Sequence, residues 1–146
     1  MSIIVKSEAE VAAMRRAGMV VASILKVLAG ETKPGITTRY LDNIAVRELA
    51  RYRATSSFKG YRGYPASLCV SINDEIVHGI PGDRVIRGGD IVSLDFGAII
   101  DGFHGDAAIT VSAGEIKPEA KRLIEVTRAS LEAGISAARP GGHLSD

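Results

Sequence analysis

The sequence of 146 residues lacks three features that would each indicate a particular class of protein. Its single cysteine, Cys69, cannot form an internal disulfide, so a cytoplasmic location is the simplest expectation. Its 18 basic and 17 acidic side chains nearly cancel and form no basic cluster, which argues against nucleic-acid binding. No apolar run approaches the ~18 residues of a membrane span, and Glu8 and Glu10 break the layout of a signal peptide. What is left is a chain with 46% apolar and 24% charged residues, the balance of a soluble globular domain.

The first third of the chain carries two apolar patterns with helical spacing. Ser7 and Glu10 form a capping-box pattern ahead of an apolar repeat that continues to Leu28. A second helix is predicted to begin at Thr37 or Thr38. It should bury four apolar residues, namely Leu41, Ile44, Ala45 and Leu49. Because both stripes are plainly apolar, these helices are expected to be scaffold.

The middle of the chain changes to the period of two that is typical of strands. Ser67 to Ile72 alternates between apolar and small polar residues, and Glu75 to Ile80 is predicted to return beside it after a turn at Asn73-Asp74. A third strand is predicted at Ile91 to Gly97, and Asp101-Gly102 is a strong hairpin signal. Phe103 to Val111 should therefore fold back on the third strand.

A last helix is predicted from about Pro118 to Ala138, with Leu123, Val126, Leu131 and Ile135 near its buried side. Helices, then strands, then a helix indicate an α+β fold, an antiparallel sheet with helices covering one face. Lys33-Pro34-Gly35 follows the first helix, and Arg139-Pro140-Gly141 follows the last one ahead of a helix start predicted at residues 143–146. This similarity suggests a repeat that begins a second time, although Pro-Gly after a helix is common.

Two aspartates in the predicted hairpin are the first candidates for chemistry. With Asp101-Gly102 as a two-residue turn, Asp106 lies opposite Gly97 and Asp95 lies opposite Ala108. The two carboxylates then share one face as diagonal neighbours, where they repel each other. A divalent cation would compensate them, and pairs of metal ions bridged by carboxylates occur in many hydrolases. The alternative is that both aspartates are simply solvated on an exposed face.

A cysteine and a histidine form a second candidate pair. If Asn73-Asp74 is a two-residue turn, Cys69 falls opposite His78 on one face. Such a pair is compatible with a thiol nucleophile that an imidazole activates. The alternatives are a buried apolar Cys69 with a hydrogen-bonding His78, or a His78 that donates a hydrogen bond to a substrate. His104 shares the predicted face of Asp106 and is either a support for the site or a polar strand residue.

Three stretches of the sequence resemble type I methionine aminopeptidases. They are residues 61–81 (YRGYPASLCVSINDEIVHGIP), 89–97 (GDIVSLDFG) and 101–106 (DGFHGD), and the likeness extends through essentially the whole chain. The resemblance implies the pita-bread fold, in which two α+β halves related by a pseudo-twofold axis enclose a dinuclear metal site. Residues 1–146 would be the N-terminal part of a single catalytic domain, with the second half beginning near residue 117 and cut off.

The resemblance also implies roles for individual residues. Asp95 and Asp106 correspond to two aspartate ligands of two divalent metal ions of the cobalt, manganese, iron or zinc class. His78 corresponds to a histidine of the catalytic site that contacts the substrate. The pocket for the methionine side chain is lined by positions that correspond to Tyr61, Tyr64 and Cys69. The implied substrates are nascent proteins with an N-terminal methionine, with no nucleic acid or membrane as partner.

The chain departs from the family pattern in the number of ligands. The family needs a further metal-binding histidine, a second substrate histidine and two glutamate ligands, none of which can be assigned here. This chain alone is therefore expected to be inactive and to self-associate as a homodimer. The alternative function is a non-catalytic pita-bread-like module that binds a peptide or a protein partner. A further alternative is a pita-bread peptidase acting next to proline, a class that usually carries an additional N-terminal domain.

Overall fold

A computed structural model describes residues 3–143 and residue 145, which form three long helices and four strands. The chain divides into two compact units between Glu115 and Ile116. The first unit contains α1 (Glu8–Glu31), α2 (Thr38–Arg51), β1 (Thr55–Ser56), a short 3-10 turn (Tyr61–Gly63), β2 (Leu68–Ile72), β3 (Ile91–Ile100) and β4 (Phe103–Ser112). The second unit contains α3 (Pro118–Ala137). No helix in the described part of the chain is both long and apolar enough to cross a membrane.

The two N-terminal helices begin where their capping residues predict. The Ser7 hydroxyl accepts a hydrogen bond from the Glu10 amide, and the Glu10 carboxylate accepts one from the Ser7 amide at 2.7 Å. The Thr37 hydroxyl caps α2 by accepting from the amide of Tyr40 at 3.2 Å. The predicted apolar repeat of α1 is buried at Val21, Ile24, Leu25 and Leu28, whereas Val11 and Met14 at its start are 44% and 41% exposed. The four α2 residues named above are each at most 5% exposed. Both helix predictions are confirmed.

The sheet is antiparallel and has β3 at its centre. β4 lies along one side of β3, while β2 and the short β1 lie along the other side. The turn between β3 and β4 is formed by Asp101 and Gly102, which both have positive φ, 51° and 78°. Two consecutive residues of this kind make the turn that suits the twist of a tight hairpin. The hairpin predicted from Asp-Gly is therefore confirmed.

Alternate residues of the sheet face opposite sides. Leu94, Phe96 and Ala98 of β3 are fully buried and belong to one apolar core with α1 and α2. At Gly105 of β4, α1 comes so close that an added Cβ would lie 2.6 Å from the carbonyl carbon of Ala17. Glycine is therefore required where the helix rests on the strand. The predicted α+β fold, with helices on one face of the sheet, is confirmed.

The strand predicted at Glu75 to Ile80 is wrong, because this segment has no regular secondary structure. β2 pairs with β3 instead. The amide of Ile72 donates to the Glu75 carboxylate at 2.8 Å, so it is not available to a hairpin partner. Asn73 has a φ of 57° and accepts a hydrogen bond from the Ile91 amide at 3.0 Å, which ties the end of β2 to the start of β3. Local side-chain bonds thus replace the predicted hairpin ladder.

The helix α3 forms as predicted, but its apolar residues are not buried. Pro118 occupies the first turn, where its missing N–H costs nothing, and the helix ends at Ala137. None of the α3 residues, all of which are described, is buried. The four side chains predicted near its buried side (Leu123, Val126, Leu131 and Ile135) are 54–65% exposed. The period of the sequence identified the stripe correctly, but nothing within this unit covers it.

The two Pro-Gly turns share a glycine with positive φ. Gly35 follows Pro34 with a φ of 95°, and Gly141 follows Pro140 with a φ of 85°. The internal repeat itself stays a prediction. The helix start predicted at residues 143–146 lies partly outside the described residues.

Candidate active site

A cavity of about 820 Å³ opens on the sheet face opposite α1 and α2. Its walls come from residues 57–65, from β2, from the segment around His78, and from β3 and β4. The six residues for which the resemblance implies a role all line it, namely Tyr61, Tyr64, Cys69, His78, Asp95 and Asp106. Residues from five separate stretches of the chain thus meet at one place.

The two aspartates have the predicted cross-strand arrangement. Asp95 pairs with Ala108 and Asp106 pairs with Gly97, so the carboxylates are diagonal neighbours on the cavity face. Asp95 is half-buried, whereas Asp106 is exposed. Burial raises the pKa of Asp95 above its ordinary value of 3.8, and the charge of Asp106 raises it further, while His78 opposes the shift. The site therefore holds negative charge that the fold does not neutralise well.

These carboxylates fit divalent metal ions by their chemistry. Carboxylate oxygens are common ligands of such ions, and a cation would relieve the repulsion that raises the pKa of Asp95. No salt bridge to either aspartate occurs within residues 3–143. Over the same part of the chain, no three His, Cys, Asp or Glu side chains are grouped so that they would hold a metal. The described residues thus offer two neighbouring carboxylates without a third candidate ligand grouped beside them.

Cys69 lies on β2 directly beside Asp95. The two residues are cross-strand partners, so the predicted pairing of Cys69 with His78 is wrong. Burial raises the pKa of the Cys69 thiol, and the nearby charges of Asp95 and Asp106 raise it as well, although a hydrogen bond with Tyr64 acts in the other direction. A thiolate nucleophile needs the opposite shift. The geometry and the electrostatics both favour Cys69 as a neutral wall of the cavity.

Tyr64 and His78 present polar groups from two loops. The Tyr64 hydroxyl donates to the carbonyl oxygens of Leu68, at 3.2 Å, and of Gly79, at 3.1 Å. Burial is the main cause of a strong rise in the pKa of Tyr64, so its hydroxyl stays protonated and remains a donor. His78 lines the cavity from an exposed segment and has a φ of 62°. Its predicted contact with a substrate remains a prediction.

Several cavity residues were not singled out by the sequence. Ser57 and Phe58 follow a strand of two residues, which is too short to give a periodic signal. His104, by contrast, was placed on the face of Asp106 by the sequence, because alternate strand residues share a face. It lines the cavity, with its Nδ1 3.0 Å from the Ser57 hydroxyl oxygen.

Known proteins give an independent comparison. The chain matches the model of metallopeptidase family M24 over residues 12–146. It is 49% identical over 144 residues to methionine aminopeptidase 1 of Bacillus subtilis, covering 99% of this chain and 58% of that protein. It is 48% identical over 145 residues to methionine aminopeptidase of Clostridium acetobutylicum, covering 99% of this chain and again 58% of the relative. The chain therefore spans little more than half the length of these relatives.

Solved structures agree with this comparison. Methionine aminopeptidase from Thermotoga maritima aligns with a TM-score of 0.93 and 39% identity, covering 96% of this chain and 57% of the other. Aminopeptidase P from Escherichia coli aligns with a TM-score of 0.79 and 25% identity, covering 93% and 30%. These neighbours have the pita-bread fold, which confirms the predicted architecture. Because the family model matches nearly the whole chain, we conclude that the chain belongs to metallopeptidase family M24.

Proposed function

We propose that this chain is the N-terminal part of a methionine aminopeptidase, which removes the first methionine from newly made proteins. The observation that carries the proposal is the meeting of two aspartates, a histidine and apolar walls in one cavity. The similarity to methionine aminopeptidases, at 49% and 48% identity, supports this substrate over the proline-directed class, for which identity is 25%. The second half of the catalytic domain would begin near residue 117. We place the protein in the cytoplasm, where nascent chains are made and where its one cysteine stays reduced.

Each group in the cavity has a proposed role. Asp95 and Asp106 hold two divalent metal ions, which supply Lewis-acid polarisation of the peptide carbonyl when they are bound. His78 donates a hydrogen bond to the substrate and orients the first peptide bond. The methionine side chain contacts a wall that includes Tyr61, Tyr64 and Cys69. This wall is apolar apart from its hydroxyl and thiol groups, which suits a thioether.

This chain has too few metal ligands for the activity that we propose for the whole protein. Two carboxylates leave most of the coordination of two metal ions unfilled, and the described residues offer no third ligand. By itself the chain is thus better suited to binding a peptide than to cleaving one, which is the alternative function. We expect it to release no methionine from a Met-Ala-Ser peptide with added cobalt or manganese. Robust turnover by the 146 residues alone would contradict the proposed ligand set.

A chimera tests the proposed roles in a complete enzyme. This chain would replace the matching 58% of the Bacillus subtilis relative, and methionine release would be measured with manganese. We expect an active chimera in which Asp95→Asn or Asp106→Asn lowers kcat/KM at least about 100-fold. That size follows because loss of an outer partner of a metal ligand already costs about 10- to 100-fold. Asn keeps the side-chain volume, so folding should be retained.

Two further variants serve as controls for the chimera. Asp101→Asn changes an exposed carboxylate in the same hairpin, at a positive φ that Asn accepts, and should leave activity unchanged. Cys69→Ser should keep much of the activity, and chelators should still inhibit that variant. Full activity after Asp106→Asn would refute the metal-ligand roles. Inactivation by Cys69→Ser together with insensitivity to chelators would instead support a thiol nucleophile.

A further inference from the structure

The backbone of His78 is in a conformation that an L-residue rarely adopts. Its φ of 62° lies in the left-handed region, which is unfavourable for a non-glycine residue and persists only where the surroundings enforce it. Apolar packing does not provide this enforcement. The neighbouring side chains of Ile76, Val77 and Ile80 are 89%, 62% and 63% exposed. Some other interaction must therefore hold the segment in place.

Hydrogen bonds to the next residue, Gly79, provide that interaction. The amide of Gly79 donates to the Ser71 hydroxyl at 3.1 Å. The carbonyl oxygen of Gly79 accepts from the Val70 amide at 2.9 Å and from the Tyr64 hydroxyl at 3.1 Å. The peptide group before Gly79 and the peptide group after it are thus both fixed. Because Ser71 is only 4% exposed, water has little access to compete for its hydroxyl.

The same residue shows how closely the segment approaches the sheet. A Cβ added to Gly79 would lie 2.1 Å from the carbonyl oxygen of Val70, so the loop backbone contacts β2 directly. Because the backbones are so close, the hydroxyl of Ser71 on β2 and the hydroxyl of Tyr64 in the loop before β2 can reach the peptide groups of Gly79. Only the Ser71 hydroxyl and the Tyr64 hydroxyl supply side-chain bonds to Gly79 among the described residues.

We propose that Ser71 and Tyr64 are positioning residues whose hydroxyl groups hold the peptide groups on both sides of Gly79 and thereby aim His78 into the cavity. We call these two side chains and Gly79 the Gly79 clamp. The consequence for catalysis rests on the proposed function, since it assumes that His78 contacts the substrate. Ser71 does not line the cavity, so it acts through His78.

The first test measures the clamp without any activity. Amide hydrogen exchange of the 146-residue chain, followed by NMR, reports the Gly79 N–H directly. Ser71→Ala removes its acceptor and should speed its exchange about 2- to 10-fold, the change expected for one hydrogen bond. Ser71→Thr keeps the hydroxyl and should restore protection. Tyr64→Phe removes the bonds to the Gly79 and Leu68 carbonyls and leaves the Ser71 bond in place, so it should loosen the segment and change the His78 amide and ring signals.

Ser93→Ala is the matched control. Ser93 is the cross-strand partner of Ser71, and its hydroxyl bonds to Thr110 at 2.9 Å instead of to the loop. Its loss should leave the exchange of Gly79 unchanged. Equal acceleration by Ser93→Ala and Ser71→Ala would mean general loosening of the sheet and would overturn the clamp. Unchanged exchange in Ser71→Ala would overturn it as well.

The second test asks whether the clamp acts through His78. In the chimera, Ser71→Ala should lower kcat/KM about 2- to 10-fold. The same change should have little further effect when it is made in a His78→Ala background, because the residue that it positions is gone. Equal losses in both backgrounds would show a merely structural role. Inactivity of the unaltered chimera would refute the proposed function, while the exchange experiment would still decide the clamp.

Discussion

The two faces of the β3–β4 hairpin differ in what holds their side chains. On the core face, Leu94 and Phe96 are fully buried against apolar neighbours. On the cavity face, hydrogen bonds join pairs of polar side chains, such as Ser93 with Thr110 at 2.9 Å. Asp95 lies between Leu94 and Phe96 in sequence, yet it faces the cavity and carries a charge that burial disfavours. Neighbouring residues on one strand thus face either a core that stabilises the fold or a cavity that carries charge.

This separation predicts that a substitution on the core face changes stability far more than one on the cavity face. Phe96→Ala should reduce the free energy of unfolding by about 3–5 kcal/mol, since it removes a fully buried aromatic ring and leaves a cavity. Asp95→Asn, one residue away, should change it by less than about 1 kcal/mol, because the carboxylate is partly screened by water. Urea unfolding of both variants measures the two changes. Similar losses of stability would refute the separation of roles.

The exposed apolar stripe of α3 is a third surface, and it bears on whether the chain associates with itself. Its apolar residues are buried by nothing within their own unit, and exposed apolar patches favour contact with another copy. We expect the chain to form a homodimer as its concentration rises, which sedimentation velocity measures. Replacing both Leu123 and Leu131 by Ser should shift the chain toward the monomer, whereas Glu125→Ser on the same helix should not. Association that is unaffected by the double substitution would exclude α3 as the interface.

The charge on the cavity face predicts a smaller effect that depends on pH. Because the folded pKa of Asp95 is raised above 3.8, the unfolded chain binds fewer protons at this site between the two pKa values. Stability contributed by this group therefore falls as pH rises through that window, and the loss persists at neutral pH. Asp95→Asn should match the wild type in acid and become slightly more stable than it toward pH 7. Urea midpoints at several pH values test this. An increase in the stability of the wild type relative to the variant as pH rises would contradict it.

Manganese provides the control for the pH experiment. A bound cation would offset the repulsion between Asp95 and Asp106, so it should stabilise the wild type and leave Asp95→Asn less affected.

The sequence predicted the hairpin register because two signals agreed. Asp101-Gly102 defined the turn, and the period of two then assigned Asp95 and Asp106 to one face. At Asn73-Asp74 the same type of argument failed, because the Glu75 carboxylate binds the Ile72 amide at the end of β2 and the Asn73 side chain binds the Ile91 amide at the start of β3. Turn residues alone do not reveal such bonds. Side-chain hydrogen bonds that replace the backbone pairing of two strands can be identified only when the positions of both partners are known.

The cavity itself was predictable only in part. The resemblance supplied residues from the loop at Tyr61 and Tyr64 that no periodicity would have brought to the sheet. Ser57 and Phe58 gave no local signal, since their placement depends on long-range contacts such as the bond from the Ser57 amide to the Gly97 carbonyl at 3.0 Å. The stripe on α3 was correctly identified as apolar, but whether it is covered depends on neighbours that a helical period does not encode.

The contact of α1 with Gly105 bears on how a mutational scan of this protein should be interpreted. Gly105 is buried on the core face, opposite the cavity, but it directly precedes Asp106 in the chain. Any larger side chain would push against the backbone of Ala17, and the strand would have to shift. In the proposed chimera, such variants would score as defective although Gly105 faces away from the cavity. Distance from the cavity is therefore a poor guide to phenotype here, and the backbone spacing between α1 and β4 is a better one.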